Sequence, residues 1–330
     1  MIDSLFAPFS APGMPGASVL VVRNDSIIVR ASYGLADVDS ARPSTPETSF
    51  RLASLSKQFT AMAILLLVAD GKLAVSDAAV RHLPELPAHA KSVTVRHLLT
   101  HTSGLADYED FVPDTQTAQV RDADVLTLVS TKSKGLLFTP GGEWRYSNTG
   151  YALLALIVER VSGQRFADFL RSRIFDVVGM TNTVAYEQGR TVVPHRAYGH
   201  TISADAVRRT DQSNTSAVLG DGGIYSSIDD LAKWDAALSR GSLIPATLWR
   251  EAVTPFVLGT GRSTEYGYGW FIDSFAGAQR LRHHGETRGF TNSIYRFPER
   301  RLTIVILTNR GDSAPWQLTD RIAMHFLGPA

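Results

Sequence analysis

Apolar positions in this chain follow two periods, one near its ends and another through its middle. In SLSKQFTAMAILLLVAD (54–70), Leu55, Phe59, Met62, Leu66 and Ala69 recur at helical spacing, and Gly71 is a natural stop. The same period predicts helices over 93–100, 148–162, 166–177 and 227–239, with a final amphipathic helix over 316–327. The ends read differently. ASVLVVR (17–23) and IIVRASYG (27–34) are β-branched runs around the turn-like Asn24-Asp25-Ser26. Near the C-terminus NSIYRF (292–297) and RLTIVILT (301–308) flank a turn at Pro298. Strands at both ends with helices between predict an α/β (α+β) fold. The two terminal hairpins join into one antiparallel sheet flanked by helices. A single domain in two lobes is expected: a sheet lobe from about 1–53 and 240–330, and a helical lobe from about 54–239. A site then falls in the cleft between them.

Composition narrows the function classes. The 330 residues are 44% hydrophobic and 20% charged, as in an ordinary globular protein. Formal net charge is +1, which gives no global field to gather nucleic acid or anionic membrane, so neither is an expected partner. There is no cysteine, which removes disulfides, thiolate nucleophiles and Cys-ligated zinc together. The longest apolar run, Ala61 to Ala69, is about half of the ~20 residues that a membrane-spanning helix needs. The N-terminal residues carry no basic n-region followed by a long apolar segment. A cytoplasmic protein is expected on that ground, or a periplasmic or secreted one if a leader precedes the sequence. The pattern sets no oligomeric state.

One local inconsistency points to chemistry. If Ser54 caps the 54–70 helix, residue 57 should be Glu or Gln, closing a capping box. It is Lys57, a cation in the first turn that opposes the helix macrodipole at a cost of ~0.3–1 kcal/mol. Residues three apart share a helix face, so the Lys57 amine reaches the Ser54 hydroxyl, whereas Ser56 points elsewhere. Further on, Tyr146 and Asn148 alternate in the loop of PGGEWRYSNTGY (140–151), so a phenol and an amide face one cleft. A third cluster, RHHGETRGF (282–290), has Gly285 where a strand edge ends, and backbone N–H groups there can hold an oxyanion. Neither His283 with His284 and Glu286, nor His97 with His101, has a metal-site pattern. No metal and no cofactor is expected, and His97 and His101 read as structural residues on one helix face. Taken singly, each cluster also has an ordinary structural explanation.

Together, and in this order, Ser-x-x-Lys, Tyr-x-Asn and His-x-Gly resemble the serine β-lactamase and penicillin-binding superfamily. The Tyr-Ser-Asn form looks like the branch of class C β-lactamases, family VIII carboxylesterases and D-amino-acid peptidases. VTVRHLLTHTSGL (93–105) and GDGGIYSSIDDLAKW (220–234) carry the likeness across most of the chain. The resemblance implies Ser54 as acylated nucleophile, Lys57 and Tyr146 as the pair that activates it, and Asn148 positioning lysine and substrate. It implies an oxyanion hole from the backbone N–H groups of Ser54 and Glu286. His283, Gly285, Tyr108 and Tyr225 are expected to line the cleft.

The third motif departs from the family. His283 stands in place of lysine and His284 in place of a small hydroxyl residue, so the means of holding a substrate carboxylate is weakened. A partly charged His283 argues for neutral substrates. The expected function is therefore a serine hydrolase working through an acyl-enzyme on a small ester or amide, first of all a short-chain esterase. The alternatives are a D-aminopeptidase, D-Ala peptidase or weak β-lactamase, and a non-catalytic ligand-binding protein on the same fold. No G-x-S-x-G segment exists to carry an α/β-hydrolase elbow.

Overall fold

The computed structural model describes residues 1–113, 115–203 and 206–328. The principal elements are α1 (Ile2–Phe6), β1 (Ala17–Arg23), β2 (Ser26–Tyr33), α2 (Lys57–Ala69), α3 (Val95–Leu99) and α4 (Asn148–Ser162). They continue with α5 (Ile228–Arg240), β3 (Phe271–Phe275), β4 (Ala278–Thr287), β5 (Phe290–Phe297), β6 (Leu302–Thr308) and α6 (Pro315–Leu327).

The two expected hairpins do merge. The main sheet runs β3-β4-β5-β6-β1-β2, antiparallel throughout, and β1 pairs with β6 from Ala17↔Thr308 to Arg23↔Leu302. Side chains alternate across it. Val19, Val21, Ile304 and Ile306 pack under Phe6 of α1 and Ile322 of α6. Leu20, Val22, Val305 and Leu307 face the opposite way, into the larger core shared with the helices. Covered on both faces, β1 reads as a continuous apolar run from Val19 to Val22. Strand β3 escapes prediction, and β4 is foreseen only as the strand edge at Gly285, because β4 places Arg280, Arg282 and His283 where apolar residues would betray a strand.

The middle of the chain is built on α2 and α4. Every residue of α2 from Lys57 to Leu67 is buried, as are Thr149–Val158 of α4. The middle is less purely helical than its periodicity predicts. Strands Val184–Ala185 and Ile224–Ser226 join Phe50–Arg51 in a small sheet, and His200–Ser203 pairs with Ala206–Arg209. The expected 54–70 helix begins three residues late, because Ala53–Ser56 form a 3-10 turn and the α-helix starts at Lys57. No described helix is long and apolar enough to cross a membrane.

Candidate active site

The site starts from a strained turn. Arg51 pairs with Tyr225, and the Leu52 N–H donates to the Ile224 carbonyl at 2.8 Å. Ala53 then takes a left-handed conformation (φ +51°), which a non-glycine residue adopts at a cost of ~1–3 kcal/mol. That reversal delivers Ser54 to the surface of a small cleft and sends the chain into α2. Lys57, one turn on, is fully buried. Its Nζ lies 3.1 Å from Ser54 Oγ, 2.8 Å from Asn148 Oδ1 and 2.9 Å from the Asp221 carbonyl oxygen. Asn148 opens α4, and its N–H donates to the Asp107 carboxylate at 2.7 Å. Three distant stretches thus meet at one ammonium-sized point. Ser56 faces away, and its Oγ accepts the Ile224 N–H at 3.3 Å.

Tyr146 stands beside this group without hydrogen-bonding to it. Lys57 Nζ is 5.0 Å from the phenol ring centre, and the ring stacks on Phe271 with an interplanar angle of 5°. The phenol oxygen is buried and has no hydrogen-bond partner among the described residues.

The third motif lies on β4. A Cβ at Gly285 would overlap the Leu52 carbonyl oxygen and come within 3.0 Å of Leu55, so glycine lets the strand backbone lie directly on the Ser54 turn. Strand β3 covers β4 only as far as Phe271↔Arg282. Residues 283–287 therefore have no strand partner on that side among the described residues. Glu286 is exposed on the cleft rim.

His283 differs from expectation. It is buried, donates from Nδ1 to the His284 carbonyl at 2.6 Å, and meets the Tyr266 hydroxyl with Nε2 at 3.2 Å. Burial, reinforced by the nearby Lys57 charge, pushes its pKa down to about 3. It is neutral at pH 7 rather than partly charged. His284 does not face the cleft. It stacks between Tyr295 and Trp316, the latter on α6 behind the sheet, and burial holds it down at about 4.

The cleft, about 50 Å³, is lined by Ser54, Tyr108, Glu109, Asn148, Asp221 and Glu286 among others. Tyr108 is a wall rather than a free phenol. It is 1% exposed and donates its hydroxyl to Asp221 Oδ2 at 2.9 Å. Tyr225, expected in the cleft, is elsewhere: it is fully buried and accepts from Gln212 at 2.9 Å and Arg196 at 3.3 Å. Its strand pairing with Arg51 turns the ring away from Ser54. His97 and His101 do not share a helix face either. His97 Nδ1 accepts the Thr94 N–H and caps α3, while His101 lies beyond Leu99 in a left-handed conformation.

Sequence reasoning missed two carboxyls. Asp221 is buried, and desolvation raises its pKa to about 7 against the opposing pull of Lys57 and Tyr108. Glu109 is raised by burial and by Asp107, with Lys57 opposing. In DYED and GDGG these acids look like turn residues, and only the tertiary fold makes them cleft walls.

A family model described as Beta-lactamase matches residues 2–327. Penicillin-binding protein 4* of Bacillus subtilis (strain 168) is 32% identical over 330 residues, covering 96% of this chain and 73% of that protein. A D-aminopeptidase of Gluconobacter oxydans (strain 621H) is 28% identical, covering 93% of this chain, which spans only 58% of that enzyme's length. The D-amino acid amidase of Ochrobactrum anthropi SV3, solved with L-phenylalanine amide, superposes with a TM-score of 0.82 at 26% identity, covering 99% of this chain and 96% of the amidase.

Proposed function

From the premise that this chain belongs to the β-lactamase family of serine hydrolases, we propose that it cleaves an amide whose acyl part carries a free α-ammonium group. The substrate class is a D-amino acid amide or a peptide with a D-residue at its N-terminus. The observation that carries this reading is the charge of the cleft. Glu109 and Glu286 stand on the rim of the space around Ser54, while the two cations beside it are buried and taken up elsewhere, Arg51 by the Gly222 and Ser216 carbonyls and Gln212, and Lys57 by Ser54, Asn148 and the Asp221 carbonyl. An acidic rim attracts a cation and repels the carboxylate of a penicillin. The neutral His283 offers no counter-charge for such a carboxylate. Two similar proteins are by name a D-aminopeptidase and a D-amino acid amidase, which supports the amide reading over a short-chain esterase and supplies the D configuration.

The geometry suits Lys57 as the group that takes the Ser54 proton. Asn148 Oδ1 and the Asp221 carbonyl can only accept, so they engage two N–H bonds of the amine. The third position of the tetrahedral nitrogen points at Ser54 Oγ. A proton passes between Ser54 Oγ and that position over 3.1 Å without reorientation of the side chain. As Oγ bonds to the carbonyl carbon, the developing oxyanion is received by the N–H groups of Ser54 and Glu286. Collapse breaks the C–N bond, and the leaving nitrogen takes a proton from the Lys57–Tyr146 pair. Water then attacks the Ser54 ester, returns a proton to that pair, and Ser54 leaves with it. Asn148 fixes the amine, and Glu109 binds the substrate ammonium.

The test compares D-phenylalanine p-nitroanilide with its N-acetyl derivative, a butyrate ester and a chromogenic cephalosporin. The free amine should exceed the acetylated anilide in kcat/KM. Glu109→Gln should raise KM for the free amine by about 10–100-fold, the worth of a charge-assisted hydrogen bond, and leave butyrate turnover nearly unchanged. Indifference to acetylation, or a cephalosporin rate above that of the free anilide, would sink the proposal.

A further inference from the structure

We infer that His101 is a positioning residue that sets the angle of Tyr146, an inference that rests on the role proposed above for that phenol. Two hydrogen bonds pinch the loop on either side of it. The Arg145 N–H donates to the His101 carbonyl at 3.0 Å, and the Ser147 N–H donates to His101 Nδ1 at 3.1 Å. Tyr146 is the single residue between those two pinned amides. Its ring lies 4.3 Å, centre to centre, from the imidazole. Four residues upstream of Arg145, the Gly141 N–H donates to the Thr102 carbonyl at 2.9 Å, so the approach to the loop hangs on residues 101–102.

His101 holds this place at a cost that simple packing does not explain. Its φ is +57°, left-handed for a residue with a side chain. It is 1% exposed, and its Nε2 has no partner among the described residues. An unpaired buried polar group and a left-handed residue each cost on the order of 1–3 kcal/mol. A leucine would fill the volume without the first of these. What leucine lacks is an acceptor at the position of Nδ1. Because Nδ1 accepts, the imidazole proton sits on Nε2, and a proton on Nδ1 would face the Ser147 N–H. The groups around the ring oppose a second proton. They are Lys57 and His283 as charged or chargeable neighbours, with Tyr146, Tyr151, Tyr266 and Trp144 as the packed rings. Burial, then Lys57 and His283, hold the imidazole well below its usual range.

The test uses the rate at which a fluorophosphonate labels Ser54 in the full chain, read by mass spectrometry, which does not depend on the natural substrate. In His101→Asn the side-chain oxygen overlays Nδ1, and asparagine tolerates a positive φ. In His101→Gln the oxygen overlays Nε2 instead. The Asn variant should label at near the wild-type rate. The Gln and Leu variants should lose about 10²-fold, the scale of one acid–base group. In a Tyr146→Phe background, which is itself slow, His101→Gln should add little further loss, since both changes remove one function. A full additional 10²-fold loss there would show a general structural role and overturn the inference. Wild-type labelling by Tyr146→Phe would overturn it together with the catalytic role of Tyr146, which separates the two failures. Should the variants not fold, ¹⁵N NMR of the wild-type histidines decides: an Nε2–H tautomer with unprotonated Nδ1 is expected, and an Nδ1–H tautomer refutes the hold on Ser147.

Discussion

Lys57 is the residue on which the chemistry turns, and it was visible because it violates a local rule. A lysine as the first residue of a helix gains nothing from capping, whereas Ser54, Asn148 and the Asp221 carbonyl give all three of its amine positions a purpose. The two serines should separate cleanly. Ser54→Ala abolishes hydrolysis and fluorophosphonate labelling. Ser56→Ala keeps labelling but leaves the buried Ile224 N–H unpaired, so urea melts should show a loss of about 1–3 kcal/mol. Gly285→Ala should do the reverse of Ser56→Ala. Its methyl group meets the Leu52 carbonyl, displacing the Ser54 turn at a strain of about 1–3 kcal/mol, and labelling should slow more than the melting midpoint falls. Glu109 and Asp221 were illegible for a physical reason. Glu109, on the exposed rim, and Asp221, buried, are brought beside Lys57 from about 50 and 160 residues away in the chain, as the Lys57–Asp221 separation of 164 positions illustrates. Tyr225, expected in the cleft from the family resemblance, instead packs its ring against Tyr186 and Phe290 in the core.

At the scale of elements, the long periodic segments were the readable ones. Asn148–Ser162 appears with the bounds its pattern gives, and Pro315–Leu327 differs by one residue. The failures fall where side chains serve the site or bond to each other rather than pack. Strand β4 hides its alternation behind Arg280, Arg282, His283 and Gly285. Helix α5 shows a related device. Arg296 on β5 donates to Asp235 on α5 at 2.6 Å, and Thr303 on β6 donates to the same oxygen at 2.7 Å, all buried. Removing the carboxylate strands a buried guanidinium, so Asp235→Ala should cost about 3–5 kcal/mol in chemical denaturation. Hydrogen exchange should rise first in α5 and in the β5–β6 edge it touches, while the Ser54 turn stays protected.

Across the whole molecule, buried histidines and raised carboxyls set opposing pH dependences. Burial lowers His97, His101, His200, His283 and His284, and it raises Asp122, Asp221 and Glu109. Between about pH 6.5 and 4 the unfolded chain takes up protons on those histidines that the folded one refuses, which favours unfolding as pH falls. The carboxyls act the other way: their contribution is greatest in acid and fades as pH rises through about 7. Histidines outnumber them, so the unfolding free energy should decline from pH 6.5 to 4.5. Asp221→Asn removes one opposing group and should steepen that decline by up to ~1.4 kcal/mol per pH unit, measured by urea titration at several pH values.

The closure of the sheet by β1 and β6 has a consequence for how the chain is made. On its β6 side Arg23 finds its partner in Leu302, and that register spans seven pairs. At roughly 5–20 residues per second, a ribosome needs on the order of 14–56 s to travel the intervening stretch. Through that interval ASVLVVR, apolar on both faces, waits with one edge unfilled. The nucleophile's turn, translated early, cannot rest against Gly285 until β4 emerges. Catalytic competence therefore arrives late and all at once, and the waiting strand is where a holding chaperone would be most useful.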